Sequence, residues 1–243
     1  MKLAGKHIVI TGGASGIGLG LVQKLYVENE ISVICRPSSA LEALRGEYDH
    51  IAVHEADFAD LAQVEQAADQ LVKPDRKIDL LINNAAVQHV QTFLDDDFRY
   101  ESIRREIDIN FTSVCTLTYL LLPALLKSTP STVLNINSGL ALAPKTTSAV
   151  YCATKGAMNI FSQSLGYQLE ETNIQVKQAF LPLVDTAMTK GRGTSKLPVQ
   201  RVVDEIVEGL GKSGPTIDVG KVRLLRSINR LSPNLAQKIM KRG

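Results

Sequence analysis

Residues 7 to 26 join three features in an order that few folds accept. His7-Ile8-Val9-Ile10 is a short apolar run, and Thr11-Gly12-Gly13-Ala14-Ser15-Gly16-Ile17-Gly18-Leu19-Gly20 follows at once. Leu21, Leu25 and Tyr26 then continue an apolar face at helical spacing. A strand therefore runs through a glycine-rich turn into a helix. A turn this tight needs permissive backbone angles, and an anion held at a helix N-terminus needs N–H groups with no side chain in the way. Gly18 and Gly20 would also let the helix pack close to the sheet. The spacing Gly12-x-x-x-Gly16-x-Gly18 differs from the G-x-G-x-x-G of other dinucleotide folds, but its setting marks a phosphate-binding turn.

The alternation continues along the chain. Apolar runs at 31–35, 51–54, 78–82, 132–136, 174–180 and 216–219 read as strands. Between them, 38–45, 61–72, 104–127, a segment through Tyr151 to about 171, and 199–210 read as helices. Strands alternating with helices imply crossover connections and a parallel sheet. The expected fold is α/β, a single doubly wound parallel sheet with helices on both faces. A chain of 243 residues suits one such domain, placed at 1–220. The tail, 221–243, differs in character. Lys221, Arg223, Arg226, Arg230, Lys238, Lys241 and Arg242 stand there with no acid among them, beside Val222, Leu224, Leu225, Ile228, Leu231, Leu235 and Ile239. Pro233 divides it into two helical pieces. A basic amphipathic helix can lie on an anionic membrane surface, but this stripe is broad and lacks an aromatic anchor. Packing on the domain or on a partner subunit is the expectation.

Composition excludes several function classes. A net charge of +2 does not suit a protein that neutralises nucleic-acid phosphates, and Trp is absent. The three cysteines, Cys35, Cys115 and Cys152, are far apart and form no C-x-x-C pair, and the four histidines are scattered. No metal site is expected, and the thiols read as reduced. The N-terminal residues, Met1 to Lys6, run straight into a strand without the apolar region of a signal peptide. The longest greasy stretch, 112–126, contains Thr, Ser and Tyr and is broken at Pro123, short of the ~20 residues needed to span a bilayer. A cytoplasmic protein is the expectation.

The chemistry is expected between residues 137 and 155. Ser138 follows the fifth apolar run, so its hydroxyl would emerge at a strand's carboxyl end, the edge at which open α/β sheets bind ligands. Tyr151 and Lys155 are one helical turn apart and share a face. An ammonium beside a phenol favours phenolate, drawing Tyr151 toward acid–base work near neutral pH. Taken alone, Tyr-x-x-x-Lys also describes two solvated helix residues.

Other positions carry weaker signals. At the end of the second strand, Cys35-Arg36 offers a guanidinium where an NAD-preferring unit usually offers a carboxylate. Arg36 can pair with a 2′-phosphate, favouring NADP over NAD, or can be a solvated loop charge. Asp57 can accept from an adenine amino group or cap the next helix, a role for which Asp60 competes. Asn83-Asn84 can tie neighbouring loops together through backbone bonds. Asn110, among Ile107, Ile109 and Phe111, can bond a backbone group, hold water in the site or sit on an exposed stripe. Residues 188–198, with Lys190, Arg192 and Lys196, have the composition of a mobile flap.

Together these residues resemble the short-chain dehydrogenases/reductases. The resemblance spans about residues 5 to 186 and rests on Thr11-Gly12…Gly16-Ile17-Gly18, Asp57, Asn83-Asn84-Ala85, Asn110, Ser138, Tyr151 and Lys155 in order. It implies a catalytic tetrad of Asn110, Ser138, Tyr151 and Lys155. It also implies an NAD(P) cofactor, here NADP, held by Thr11, Gly12, Ser15, Gly16, Ile17, Gly18, Arg36, Asp57, Phe58, Asn84, Ala85, Tyr151, Lys155, Pro182, Val184 and Thr186. The substrate would be a small carbonyl or alcohol, and the assembly a homodimer or homotetramer. A non-catalytic dinucleotide-binding sensor or scaffold is the alternative, although such proteins typically lack the Tyr or the Lys. Two positions depart from the family. Ala86 stands where Gly is usual, which would tighten the pocket if the backbone there needs a positive φ. Pro182-Leu183-Val184-Asp185-Thr186 is shortened and lacks the usual Gly. That turn, the flap and the basic tail resemble a subgroup of oxidoreductases associated with teichoic-acid D-alanylation.

Overall fold

The computed structural model describes residues 3–241. Arg242 of the basic tail and Met1-Lys2 lie outside the described residues. Seven strands form one sheet: β1 (His7–Thr11), β2 (Glu30–Cys35), β3 (Ala52–Glu55), β4 (Leu80–Asn83), β5 (Ser131–Ser138), β6 (Ile174–Leu181) and β7 (Thr216–Asp218). Their order is β3-β2-β1-β4-β5-β6-β7, and every pairing is parallel. The order reverses between β1 and β4, where Ile8 lies opposite Leu80 and Ile10 opposite Ile82. Thr11-Gly12 and Asn83-Asn84 therefore leave the sheet side by side, at the switch point where such sheets open a crevice.

Burial on both faces explains the near-continuous apolar runs of the strands. On one face α1 (Gly16–Leu25), α2 (Ser39–Glu47) and α7 (Val199–Leu210) pack Leu21, Leu41 and Ile206 into the core. On the other, α3 (Leu61–Leu71) contributes Val64 and Leu71 to a second core. Asp60 caps α3, accepting from Ala62 N at 3.0 Å.

The central helix lies close to the expected span, 104–127, and begins three residues earlier. α4 (Glu101–Ile107) continues through a π-helical turn, Asp108–Thr112, into α5 (Ser113–Leu125), giving 25 uninterrupted residues. Pro123 does not break it. That residue sits in the last turn on the exposed side, where the carbonyl it leaves unbonded can be hydrated. By length and apolar content the helix matches a membrane span, but Leu117, Leu121, Ala124 and Leu125 are fully buried in the core beside α3.

α6 (Ala149–Gln168) carries Tyr151 and Lys155 and packs on β5 and β6. In the tail, α8 (Val222–Leu231) ends before Ser232, and Pro233 opens α9 (Pro233–Met240), the first-turn position that proline favours. Two of the tail's cations, without an acid in their own segment, meet acids of the body. Arg226 grips Asp218 through two bonds, 2.6 and 2.7 Å, with its guanidinium 4.3 Å over the Phe180 ring. Arg223 reaches Glu205 at 3.2 Å. Val222 and Ala236 are buried, whereas Leu224, Leu231, Leu235 and Ile239 face outward.

Candidate active site

The glycine turn is clamped to the end of β4. The Thr11 hydroxyl accepts from Asn84 N and Ala85 N, both at 2.9 Å, and the Asn84 amide donates to Thr11 O at 2.9 Å and Gly12 O at 3.3 Å. Thr11, Asn84 and Ala85 thus spend these groups on one another, so they shape the crevice rather than presenting them to it. Gly12 and Gly16 adopt positive φ, +68° and +54°. A Cβ on Gly18 would stand 2.2 Å from Gly12 O and 2.7 Å from Asn84 Nδ2. Ser15 precedes α1 without a side-chain cap, and the first turn holds no acid. The opening N–H groups of α1, from Gly16, Ile17 and Gly18, are therefore left to an outside acceptor. Across the turn, the Thr186 methyl lies 3.4 Å from where a Gly16 Cβ would be. Ala86 brings no strain, because Ser148 is the only non-glycine with positive φ among the described residues.

Ser138 ends β5 and accepts from Leu140 N at 3.1 Å. Lys155 is 4% exposed and donates to Ile136 O at 2.9 Å, while its ammonium lies 5.7 Å from the Tyr151 ring centroid. Burial pulls the Lys155 ammonium down to about 8. The same burial raises the half-buried Tyr151 above its ordinary value, helped by Cys152 and Glu106 and opposed by the Arg192 guanidinium and the Ser138 hydroxyl. The expected lowering of Tyr151 by Lys155 is thus not found. The ammonium is directed at a strand carbonyl, and desolvation outweighs the attraction.

Asn110 lies in the π-helical turn and is 1% exposed, which removes the exposed-stripe alternative. Its Oδ1 accepts from Val87 N at 2.8 Å, and its Nδ2 donates to Val87 O at 2.9 Å and to Thr154 Oγ1 at 3.3 Å. It bonds a backbone group, joining the chain after β4 to the residue before Lys155. π-helical turns often mark sites of this kind.

At the far side, Arg36 is exposed just beyond β2, and its charge helps to hold Asp57 ionised. Burial pushes Asp57 up, but the Ala59 amide at 2.9 Å and Arg105 at 3.3 Å outweigh it and bring its carboxyl below the usual range. Asp57 is therefore less free for a ligand than its sequence setting suggested. The Phe58 ring is buried in the core, leaving only its backbone to a ligand. Pro182 follows β6, and Val184 is buried and bridges Leu197. Residues 188–198, expected as a mobile flap, are tied down near both ends. Leu197 N donates to Leu183 O, Asp185 N donates to Leu197 O, and Thr189 Oγ1 donates to Val184 O.

Three residues near Tyr151 carried no site signal of their own. Arg192 donates to Gln88 Oε1 at 2.8 Å, and Gln88 Nε2 donates to Ser148 Oγ at 3.2 Å. Lys145 is half-buried on the loop before α6. Only its place in a glycine-bearing basic segment hinted at Arg192.

This crevice, with a glycine turn on one side and a Tyr–Lys helix on the other, defines a class. Residues 6–197 match the model of the short chain dehydrogenase family. The uncharacterized oxidoreductase DltE of Bacillus subtilis is 30% identical over 245 residues, 95% of this chain and 94% of that protein. Human L-xylulose reductase is 30% identical over 188 residues, covering 76% of this chain and 75% of the relative. A solved short chain dehydrogenase from Burkholderia cenocepacia, in complex with NADP, shares the fold at a TM-score of 0.88 and 21% identity, over 99% of each chain. The chain belongs to the short-chain dehydrogenase family and is a nicotinamide-dependent dehydrogenase/reductase.

Proposed function

We propose that this protein is an NADP-linked carbonyl reductase or alcohol dehydrogenase in which Tyr151 exchanges the proton. The supporting observation is the meeting of Ser138, Tyr151 and Lys155 at the carboxyl edge of β5, on the same crevice as the uncapped start of α1. The cradle formed by Gly12, Gly16 and Gly18, closed to any side chain, fits a pyrophosphate on backbone N–H groups. Arg36 at the tip of β2, with no carboxylate in its place, favours the cofactor's 2′-phosphate, and NADP is the ligand of the Burkholderia structure. Thr186 and Pro182 would line the nicotinamide end.

When bound, NADPH supplies the hydride. Burial keeps the Tyr151 phenol protonated, so in reduction it acts as the acid that donates to the developing alkoxide. Ser138 takes the Leu140 N–H on its oxygen and turns its hydroxyl proton toward Tyr151, from where it would also hold the substrate oxygen. Lys155 spends one of its protons on Ile136 O and keeps a charge beside the phenolate that forms. Asn110 works through its grip on Val87, with a spare Oδ1 lone pair for a water in the proton path. Oxidation of an alcohol follows the same route reversed.

A second copy of the chain is the assembly partner, as homodimer or homotetramer. An open apolar groove of about 420 Å³, lined by Phe93, Ile103, Ile107, Phe111 and Val150 between α4 and α6, supports this. The cytoplasm is the proposed location, consistent with three unpaired cysteines and a central helix whose apolar residues are spent in the core.

The test is oxidation of NADPH and NADH against a panel of aldehydes, ketones and quinones. Tyr151→Phe should lower turnover by roughly 10²-fold or more while NADPH still binds. Wild-type turnover in that variant, or no turnover of any carbonyl by the wild type, overturns the reading.

A further inference from the structure

We infer that the substrate carries an oxyanion group, a carboxylate or a phosphate, which Arg192 and Lys145 hold beside Tyr151. The inference rests on the catalytic reading of the same crevice.

Arg192 is fixed in place. Its backbone N–H bonds Thr189 O at 3.0 Å, and its Nη1 bonds Gln88 Oε1 at 2.8 Å. Gln88 bonds Ser148 in turn, and Ser148 is 2% exposed, sits at φ 59° and immediately precedes α6. The relay sets a guanidinium next to the Tyr151 helix while engaging one of its five N–H donors. Lys145 stands half-buried on the loop that leads into α6, three residues before the buried Ser148 that ends the Arg192 relay. Its backbone amide meets the Cys152 thiol one turn into α6, and burial, joined by the Arg192 guanidinium, lowers the Lys145 ammonium.

Two half-buried cations so close ought to have an acid between them, yet neither forms an ion pair among the described residues. Lys196, on the same segment, does have one, Asp185 at 3.3 Å. Glu106 is the carboxylate that acts on Tyr151 from this side, but it is 2% exposed and its Oε1 accepts from His89 N at 2.6 Å. The partner that Arg192 has is a neutral amide, which does not offset the cost of desolvating a charge. An oxyanion bound between guanidinium and ammonium offsets it for both, through charge-assisted bonds that Arg geometry favours. The group would then lie next to the phenol, which suits a carbonyl compound with its anionic substituent a few bonds from the reacting carbon.

The test measures thermal shifts of the NADP-loaded protein with benzoate, phenyl phosphate and neutral benzamide. Benzoate, phenyl phosphate or both should stabilise the protein where benzamide does not, and the stronger of the two names the oxyanion. Arg192→Gln and Lys145→Gln should each weaken that binding by about ten-fold or more, with Arg192→Lys recovering part of it. Unliganded melting of the variants checks that they fold. Equal shifts from all three compounds, or an oxyanion shift unchanged in Arg192→Gln, overturn the inference. Loss of carbonyl turnover with the oxyanion shift intact overturns the catalytic reading instead.

Discussion

The side chain of Asn110 and the backbone of Val87 hold each other at both ends, N–H to Oδ1 at 2.8 Å and Nδ2 to carbonyl at 2.9 Å. Asn110 is buried and Val87 half-buried, so removing the amide leaves two partly enclosed backbone groups without their partners. Asn110→Ala is expected to cost on the order of 2–4 kcal/mol. Asn110→Asp should be little better, since it restores the acceptor for Val87 N but sets a carboxylate oxygen against Val87 O. Urea unfolding checks this, and a wild-type midpoint in Asn110→Ala would show that the clamp does not contribute.

Gly18 is irreplaceable on steric grounds, because an added Cβ meets the Gly12 carbonyl at 2.2 Å. That oxygen is backbone and already accepts from Asn84, so it cannot give way without opening the clamp on β4. Gly18→Ala should abolish NADPH binding or folding. Gly46, exposed within α2 and with nothing within 4 Å of an added Cβ, provides the contrast. Gly46→Ala should stabilise the chain by about 0.5–1 kcal/mol. Nucleotide titration and melting of both variants compare the two.

Lys155 gives stability a pH dependence with a definite sign. Its value falls from 10.5 to about 8 on folding, because burial disfavours the ammonium. Above pH 8 the unfolded chain therefore binds more protons at this group than the folded one, and stability rises with pH. Tyr151, raised by burial, works the other way once pH passes its ordinary value of 10. The window is thus pH 8 to 10, and the gain from Lys155 is about 2–3 kcal/mol. The thiols, raised by burial, oppose this above pH 9 and the lowered Lys145 and Lys177 add to it, in wild type and variant alike. In denaturation across that range, the slope of stability against pH should therefore be more positive in wild type than in Lys155→Met. Equal slopes would refute the assignment.

The features legible in the sequence were those in which local spacing does the work. The glycine turn, the Tyr151–Lys155 step, Ser138 after its strand and the break at Pro233 depend on neighbours a few residues away. What escaped depends on partners far along the chain. Arg192 gains its meaning from Gln88, 104 residues earlier. Asn110 stood out as a polar residue in an apolar setting, but its partner is a backbone, and any residue type supplies one. The central helix was legible from Arg104 onward; its first turn, from Glu101, merges with the polar stretch before it, and Pro123 looks like a stop when the side it faces is unknown. The lowering of Tyr151 by Lys155 was a sound pairwise expectation, overturned because enclosure acts on both groups at once.

The Thr146 hydroxyl holds the Lys241 carbonyl at 2.7 Å, and Arg226 fastens α8 to β7. The last two helices are thereby pinned at one end to the sheet and at the other to the loop from which Lys145 rises. Leu231, Leu235 and Ile239 face outward along that span. Thr146 is the neighbour of Lys145 on the loop before α6, so a chain shortened ahead of Lys241 would leave that loop without this bond.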